Sequence, residues 1–135
     1  MNKQLRLTCV FPVKAKVLYA AFLDSKIHGA MTGGKAEIDP KVGGHFTAWD
    51  GYIEGTILEL VSGKRIVQAW RTSEFPPASK DSRLEMRFGG RGEKTTLTLI
   101  HTQIPKGQME MYEQGWQDHY FTPMMEFFKR QKQKS

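Results

Sequence analysis

The side chains of this sequence best suited to nucleophilic, acid–base or metal chemistry are four histidines and one cysteine: His28, His45, His101, His119 and Cys9. No two histidines stand two or four residues apart, the spacings at which a strand or a helix presents two ligands to one metal. A single cysteine cannot form a paired-thiol motif, and the Walker, G-x-S-x-G and dinucleotide-binding glycine patterns do not occur. These spacings predict no metal site, no cofactor and no catalytic residue.

His101 and His119 are the two histidines that the hydrophobic pattern turns inward. His101 shares one side of its strand with Leu97 and Leu99, whereas His119 falls on the apolar side of the last helix. Either imidazole could act as the general base of a cyclase or hydratase if it faced a cavity. The alternative, which we favour, is a structural histidine hydrogen-bonded to a neighbouring hydroxyl.

Aromatic and methionine side chains are concentrated between Met109 and Phe128, which hold six of the fifteen aromatics and four of the seven methionines. Such a cluster can simply be core, or it can line a cavity between sheet and helix that suits a small hydrophobic molecule. The candidate ligand-binding residues are Trp70, Met86, Phe88, His101, Tyr112, Trp116, His119, Tyr120 and Met124.

Hydrophobic periodicity predicts the elements that must position these side chains. The predicted strands are 4–11, 35–39, 44–49, 52–61, 65–72, 83–88 and 94–103. The predicted helices are 14–23, a short one over about 25–30, and a long one over about 108–130 that kinks at Pro123. A bulge is expected near Gly55 and a turn over 89–92.

This order of elements predicts an α+β fold of the helix-grip kind. About six to seven antiparallel strands wrap around the long C-terminal helix, and one or two short helices follow the first strand. The length of 135 residues fits a single domain, 1–135, with a basic tail that frays from about residue 129.

The composition narrows the classes of partner and compartment. The net charge of +6 is spread along the chain and indicates a solvated basic surface rather than a nucleic-acid site. No apolar run reaches the roughly 20 residues of a membrane span. Cys9 alternates with apolar neighbours, which predicts an inert buried thiol. One cysteine and the lack of an apolar signal stretch at the N-terminus predict the cytoplasm.

Three stretches resemble a known family when they are taken in order: LYAAFLDSKIHGAMTGG (18–34), GGHFTAWDGYIEGTILELVSGKRIVQAWR (43–71) and YEQGWQDHYF (112–121). They are similar to the homologues of the activator of heat-shock protein 90 ATPase, within the START-like (SRPBCC) helix-grip superfamily. The resemblance is to the C-terminal domain of the eukaryotic co-chaperone, and its N-terminal domain has no counterpart in these residues. The wider superfamily binds lipids, hormones and polyketides in its cavity, and a few members catalyse cyclisation.

Three functions follow from these observations. The resemblance implies a non-enzymatic module that contacts a chaperone, with a role in the stress response. The aromatic cluster favours a carrier or sensor of a small hydrophobic ligand instead. The third alternative is an enzyme that uses His101 or His119 as its base. The oligomeric state and the identity of any ligand stay open.

Overall fold

The computed structural model describes residues 4–134, and the side chains of residues 4–132. The strands are β1 (Gln4–Phe11), β2 (Glu37–Ile38), β3 (His45–Ala48), β4 (Ile53–Val61), β5 (Arg65–Thr72), β6 (Ser82–Arg91) and β7 (Lys94–Thr102). The helices are α1 (Ala15–Leu23), α2 (Ser25–Thr32), α3 (Met109–Trp116) and α4 (Thr122–Lys134). A 3₁₀ turn (Trp49–Gly51) follows β3, and a π-helical turn (Gln117–Phe121) joins α3 to α4. None of the described helices combines the length and apolar character that crossing a bilayer requires.

The strands form one sheet in the order β1-β7-β6-β5-β4-β3-β2, and every neighbouring pair is antiparallel. The C-terminal helical segment packs on the inner face of this sheet. Phe11 of β1 makes edge contacts with Phe121 and Phe128 at ring-centroid distances of 6.1 and 6.2 Å. The predicted helix-grip fold, with its sheet and its two short helices after the first strand, is confirmed.

Helix α2 is longer than the predicted 25–30. The Asp24 carboxylate caps its start by accepting a hydrogen bond from the Ile27 N–H at 3.0 Å. The helix ends only at Gly33, whose φ of 94° lies in the left-handed region that favours glycine. His28 lies in the middle of this helix, is buried and faces the core.

The bulge in β4 lies at Leu58, and the expectation of a bulge near Gly55 was wrong. The register shifts between Ile57 and Glu59, which leaves Leu58 unpaired and 48% exposed. Gly55 stays in register, but a Cβ there would lie 1.9 Å from the carbonyl oxygen of Ala69. The close approach of β5 requires this glycine.

The turn expected over 89–92 is shorter than predicted. Strand β6 continues through Gly89, Gly90 and Arg91, which pair with β7. Only Gly92 and Glu93 join the two strands. The glycines remain in the ladder because their backbone groups pair as those of any other residue do.

Pro123 is accommodated by the π turn immediately before it. Proline has no N–H, and in a regular helix its ring would clash with the carbonyl four residues earlier, here that of His119. The Thr122 N–H bonds to the Gln117 carbonyl five residues back, which widens the turn at this point. The predicted kink therefore takes the form of a π turn, and the helical path continues into α4.

Candidate functional site

A pocket of about 510 Å³ opens beside α3 and the π turn. Its volume falls in the range of ligand sites, roughly 300–1,000 Å³. The lining residues are Trp49, Tyr52, Ile53, Trp70, Glu74, Met111, Tyr112, Gln114, Gly115, Trp116, Asp118, His119 and Tyr120. All three tryptophans of the chain are among them. The lining also includes exposed side chains such as Met111 and Glu74, so the pocket reaches the surface.

One wall is the 3₁₀ turn, whose backbone is strained. Trp49, Asp50 and Gly51 have φ values of 51°, 59° and 92° in succession. The turn is tied to Lys35 through two hydrogen bonds, from the Lys35 N–H to Asp50 Oδ1 and from the Asp50 N–H to the Lys35 carbonyl. The Trp49 ring packs on Gly34, where a Cβ would lie 2.5 Å from indole Cε3. Two left-handed non-glycine residues cost about 1–3 kcal/mol each, and strain of this kind clusters at functional sites.

The Trp49 indole also carries an unmatched donor. Its Nε1 is buried and has no hydrogen-bond partner among the described residues. The ring contacts His119 edge-on, with the centroids 5.2 Å apart. A buried unpaired donor costs about 1–3 kcal/mol. Trp49 thus combines a left-handed backbone with an unpaired buried donor in the wall of the pocket.

A hydroxyl chain holds the base of α3 against the end of β5. Thr72 Oγ1 and the Tyr112 hydroxyl are 2.6 Å apart, and Tyr112 donates to Gln108 Oε1 at 2.9 Å. Gln108 Nε2 in turn donates to the Glu74 carbonyl at 2.9 Å. These bonds join the helix to the loop that carries Glu74, and they fix both at the rim of the pocket.

Behind the pocket a second chain runs from helix to sheet. The Trp116 indole N–H donates to His101 Nδ1 at 3.4 Å. The other ring nitrogen, Nε2, lies 2.7 Å from Ser82 Oγ, which donates to the Trp70 carbonyl at 2.8 Å. Since Nδ1 accepts and the serine proton goes to the carbonyl, Nε2 must carry the imidazole hydrogen. Burial lowers the pKa of His101 to about 3, so the ring is neutral.

His28 forms the third polar link. Its Nδ1 lies 3.1 Å from the Phe22 carbonyl, which can only accept, so Nδ1 carries the hydrogen. Nε2 therefore accepts from the Tyr120 hydroxyl at 2.9 Å. Burial lowers the pKa of His28 and raises that of Tyr120. The link anchors the π turn to α2 and thereby fixes one wall of the pocket.

The predicted ligand-binding residues divide into two groups. Five lie in the pocket lining: Trp70, Tyr112, Trp116, His119 and Tyr120. Four lie in the packed interior: Met86, Phe88, His101 and Met124. Met86 borders a gap of about 10 Å³, at the lower limit of the space that one water molecule needs, and Phe88, His101 and Met124 line neither this gap nor the larger pocket. The open space thus lies at the flank of the helix, whereas the interior between helix and sheet is filled.

The two histidines considered as bases differ in their surroundings. His101 is completely buried, and both of its ring nitrogens are hydrogen-bonded. His119 is exposed at the pocket against Trp49, although the helical pattern had placed it on the inner side. Cys9 is half-buried, and burial raises the pKa of its thiol. No group of three metal-binding side chains occurs among residues 4–132.

Eight of the lining residues were not among the candidates: Trp49, Tyr52, Ile53, Glu74, Met111, Gln114, Gly115 and Asp118. Gln114 and Asp118 are polar, exposed residues of the helical segment, and this exposed side faces the pocket rim. The one local signal for the opposite wall was Asp50-Gly51, which predicts a tight turn directly after Trp49.

A long C-terminal helix gripped by an antiparallel sheet, with an aromatic pocket at the flank of the helix, defines a helix-grip domain of the SRPBCC class. Residues 12–129 match the sequence profile of the family described as activator of Hsp90 ATPase homolog 1-like protein, and the chain belongs to this family. The recognition from the sequence is thereby confirmed.

Individual relatives agree with this assignment. An uncharacterised protein of Schizosaccharomyces pombe is 31% identical over 118 residues, and the human activator of 90 kDa heat shock protein ATPase homolog 1 is 29% identical over 118. Each match covers 87% of this chain but only 35% of the relative. A solved structure described as an HSP90 activator from Plasmodium falciparum superposes with a TM-score of 0.81 at 27% identity, covering 88% of this chain and 91% of that one.

Proposed function

We propose that this chain is a non-enzymatic binding module that contacts an Hsp90-type chaperone in the cytoplasm, as part of the stress response. The observation that carries the proposal is the match to the Plasmodium falciparum HSP90 activator, which includes most of both chains. The family profile supports it over residues 12–129. The chain spans about a third of the curated relatives, 35% of each of the first two, so we propose contact with the chaperone first and stimulation of its ATPase second.

The test is a binding and ATPase measurement with the Hsp90-type chaperone of the same organism. Because the chain carries a net charge of +6, hen lysozyme serves as a basic control protein of similar size. We expect saturable binding that persists at physiological salt and exceeds that of lysozyme. Binding that matches lysozyme and disappears with salt would overturn the proposal.

The pocket supports a second function, the binding of a small hydrophobic ligand. A volume of about 510 Å³ lined by three tryptophans is large enough for a two-ring molecule, and the strained turn at Trp49 lies in its wall. A ligand that binds only the folded state raises the melting temperature through linkage. A panel of fatty acids and aromatic compounds should therefore contain members that raise it.

Gly115 offers a variant that tests the site without removing packing. A Cβ at this position meets only His119 Cδ2, at 4.0 Å, and the residue lies in the pocket wall. Gly115→Leu should fill the pocket and abolish the shift in melting temperature, whereas Gly115→Ala should preserve most of it. An unchanged shift in the leucine variant would place the ligand elsewhere.

A further inference from the structure

The charge at the pocket opposes the charge of the whole chain. The chain carries a net +6, yet the lining contains two carboxylates, Glu74 and Asp118, and neither lysine nor arginine. His119 is the one side chain of the lining that can become positively charged. A positively charged group at the pocket is therefore attracted by two carboxylates and is not repelled by any lysine or arginine of the lining.

Both carboxylates are held by neutral donors. The Tyr52 hydroxyl donates to Glu74 Oε2, and Gln114 Nε2 donates to Asp118 Oδ1 at 3.0 Å. Neither carboxylate forms an ion pair within the part of the chain whose side chains are described. By contrast Glu85, on the outer face of the sheet, is surrounded by three arginines. Glu74 and Asp118 keep lone pairs available for a cation from outside the protein.

The pocket that both carboxylates line is largely aromatic. The Trp70 and Tyr112 rings meet edge-on with centroids 5.2 Å apart, and Trp116 lies 5.9 Å from Trp70 and 4.6 Å from Tyr120. An ammonium group near the face of tryptophan or tyrosine is stabilised by the ring quadrupole. The apolar part of the same molecule gains the burial energy of an ordinary hydrophobic ligand.

We propose that the pocket binds an organic cation, with an aromatic or hydrocarbon body against the tryptophans and an ammonium group at one of the two lining carboxylates, Glu74 or Asp118. This inference rests on the second function proposed above, because it names the class of ligand for the same pocket. It does not depend on contact with a chaperone. Two carboxylates and several π faces disfavour a fatty acid or another carboxylate ligand at this site.

Three probes that share one ring system separate charge from shape. They are 1-naphthylethylamine, which is protonated at neutral pH, 1-naphthaleneethanol and 1-naphthylacetate. Binding to the full chain is measured by calorimetry, and the three tryptophan indole N–H signals in nitrogen-15 correlation spectra report whether the probe enters the pocket. We expect the amine to bind about fivefold or more tighter than the alcohol, and the carboxylate to bind weakest.

Variants that neutralise the rim carboxylates test whether these groups cause the tighter binding of the amine. The double substitution Glu74→Gln with Asp118→Asn should bring the affinity of the amine down to that of the alcohol and leave the alcohol unchanged. Glu113→Gln is the control, because it removes an exposed carboxylate of α3 that does not line the pocket. This variant should still bind the amine more tightly than the alcohol. Gly115→Leu should abolish the binding of all three probes.

Two other results would contradict the cation proposal, and the second would also contradict the ligand function. Equal affinity for amine and alcohol in the unmodified protein, or a preference that survives the double substitution, would overturn the cation proposal while a hydrophobic ligand site remained. Failure of all three probes to bind or to move an indole signal would overturn the cation proposal together with the ligand function. Contact with a chaperone would be unaffected by either result.

Discussion

The indole N–H of Trp116 lies 3.4 Å from Nδ1 of His101, and this contact joins the C-terminal helical segment to β7, the second strand from one edge of the sheet. One face of the Trp116 side chain belongs to the pocket wall, and its N–H belongs to a buried polar chain that continues to Ser82. The residue is thus shared by the structural core and the candidate site. A substitution in the core is expected to alter the pocket, and a substitution in the pocket to alter the core, because the interior is closely packed.

Ser82→Ala tests this buried chain. It leaves the N–H of His101 Nε2 without an acceptor in a fully buried position, which should cost about 1–3 kcal/mol of unfolding free energy. Ser79→Ala is the matched control, because that hydroxyl bonds to the Pro76 carbonyl at an exposed site. Urea denaturation measures both. Equal stability of the two variants would contradict the assigned chain.

The stability of the protein should fall as the pH drops below about 6.5, the ordinary histidine value. The folded-state pKa is lowered to about 3 for His101 and is also lowered for His28, so the unfolded state binds more protons in this window. Each histidine contributes a slope of up to about 1.4 kcal/mol per pH unit. Denaturation at pH 6.5 and 5.0 measures the slope, and His101→Gln, which can keep both hydrogen bonds, should reduce it.

Gly55→Ala should be among the most damaging small substitutions in the chain. The new methyl group would lie 1.9 Å from the Ala69 carbonyl oxygen and 2.8 Å from the Phe46 ring, so β4 and β5 would have to separate. Overpacking of this kind costs about 1–3 kcal/mol or more. Gly89→Ala, on the same sheet, meets no atom within 4 Å and should leave the melting temperature nearly unchanged. Similar melting temperatures for the Gly55→Ala and Gly89→Ala variants would show that β5 does not approach β4 as closely as described.

Gly115→Ala should stabilise the protein by about 0.5–1 kcal/mol, because alanine is the better helix former and the methyl group enters open space. The residue lies inside α3, and its Cβ would have one neighbour, at 4.0 Å. Thermal and urea unfolding measure the gain. A loss of stability instead would mean that the pocket wall at this point is closed.

The fold was largely predictable because its elements follow from alternation and from a few turn residues. Strand β5 was predicted to its exact ends, since Ser62-Gly63-Lys64 and the polar loop from Ser73 bracket a β-branched and aromatic run. The prolines and glycines were harder to interpret. Gly55 serves a contact between strands that are adjacent in space, and no local pattern distinguishes that role from a bulge.

The pocket was only half predictable for a similar reason. Its helical wall follows from the density of aromatics between Met109 and Phe128. The opposite wall depends on the left-handed backbone at Trp49, which a hydrophobic pattern ending in a strand does not indicate. The π turn also widens the helical path, so the helical pattern that placed His119 on the apolar side does not hold at this point.

The most direct test of the central claim is a titration of the nitrogen-15-labelled chain with the unlabelled Hsp90-type chaperone of the same organism. We expect amide signals to broaden or shift selectively over one contiguous surface, with saturation at tens of micromolar or below in physiological salt. Spectra that stay unchanged at that concentration would contradict the claim that this chain is a chaperone-binding module.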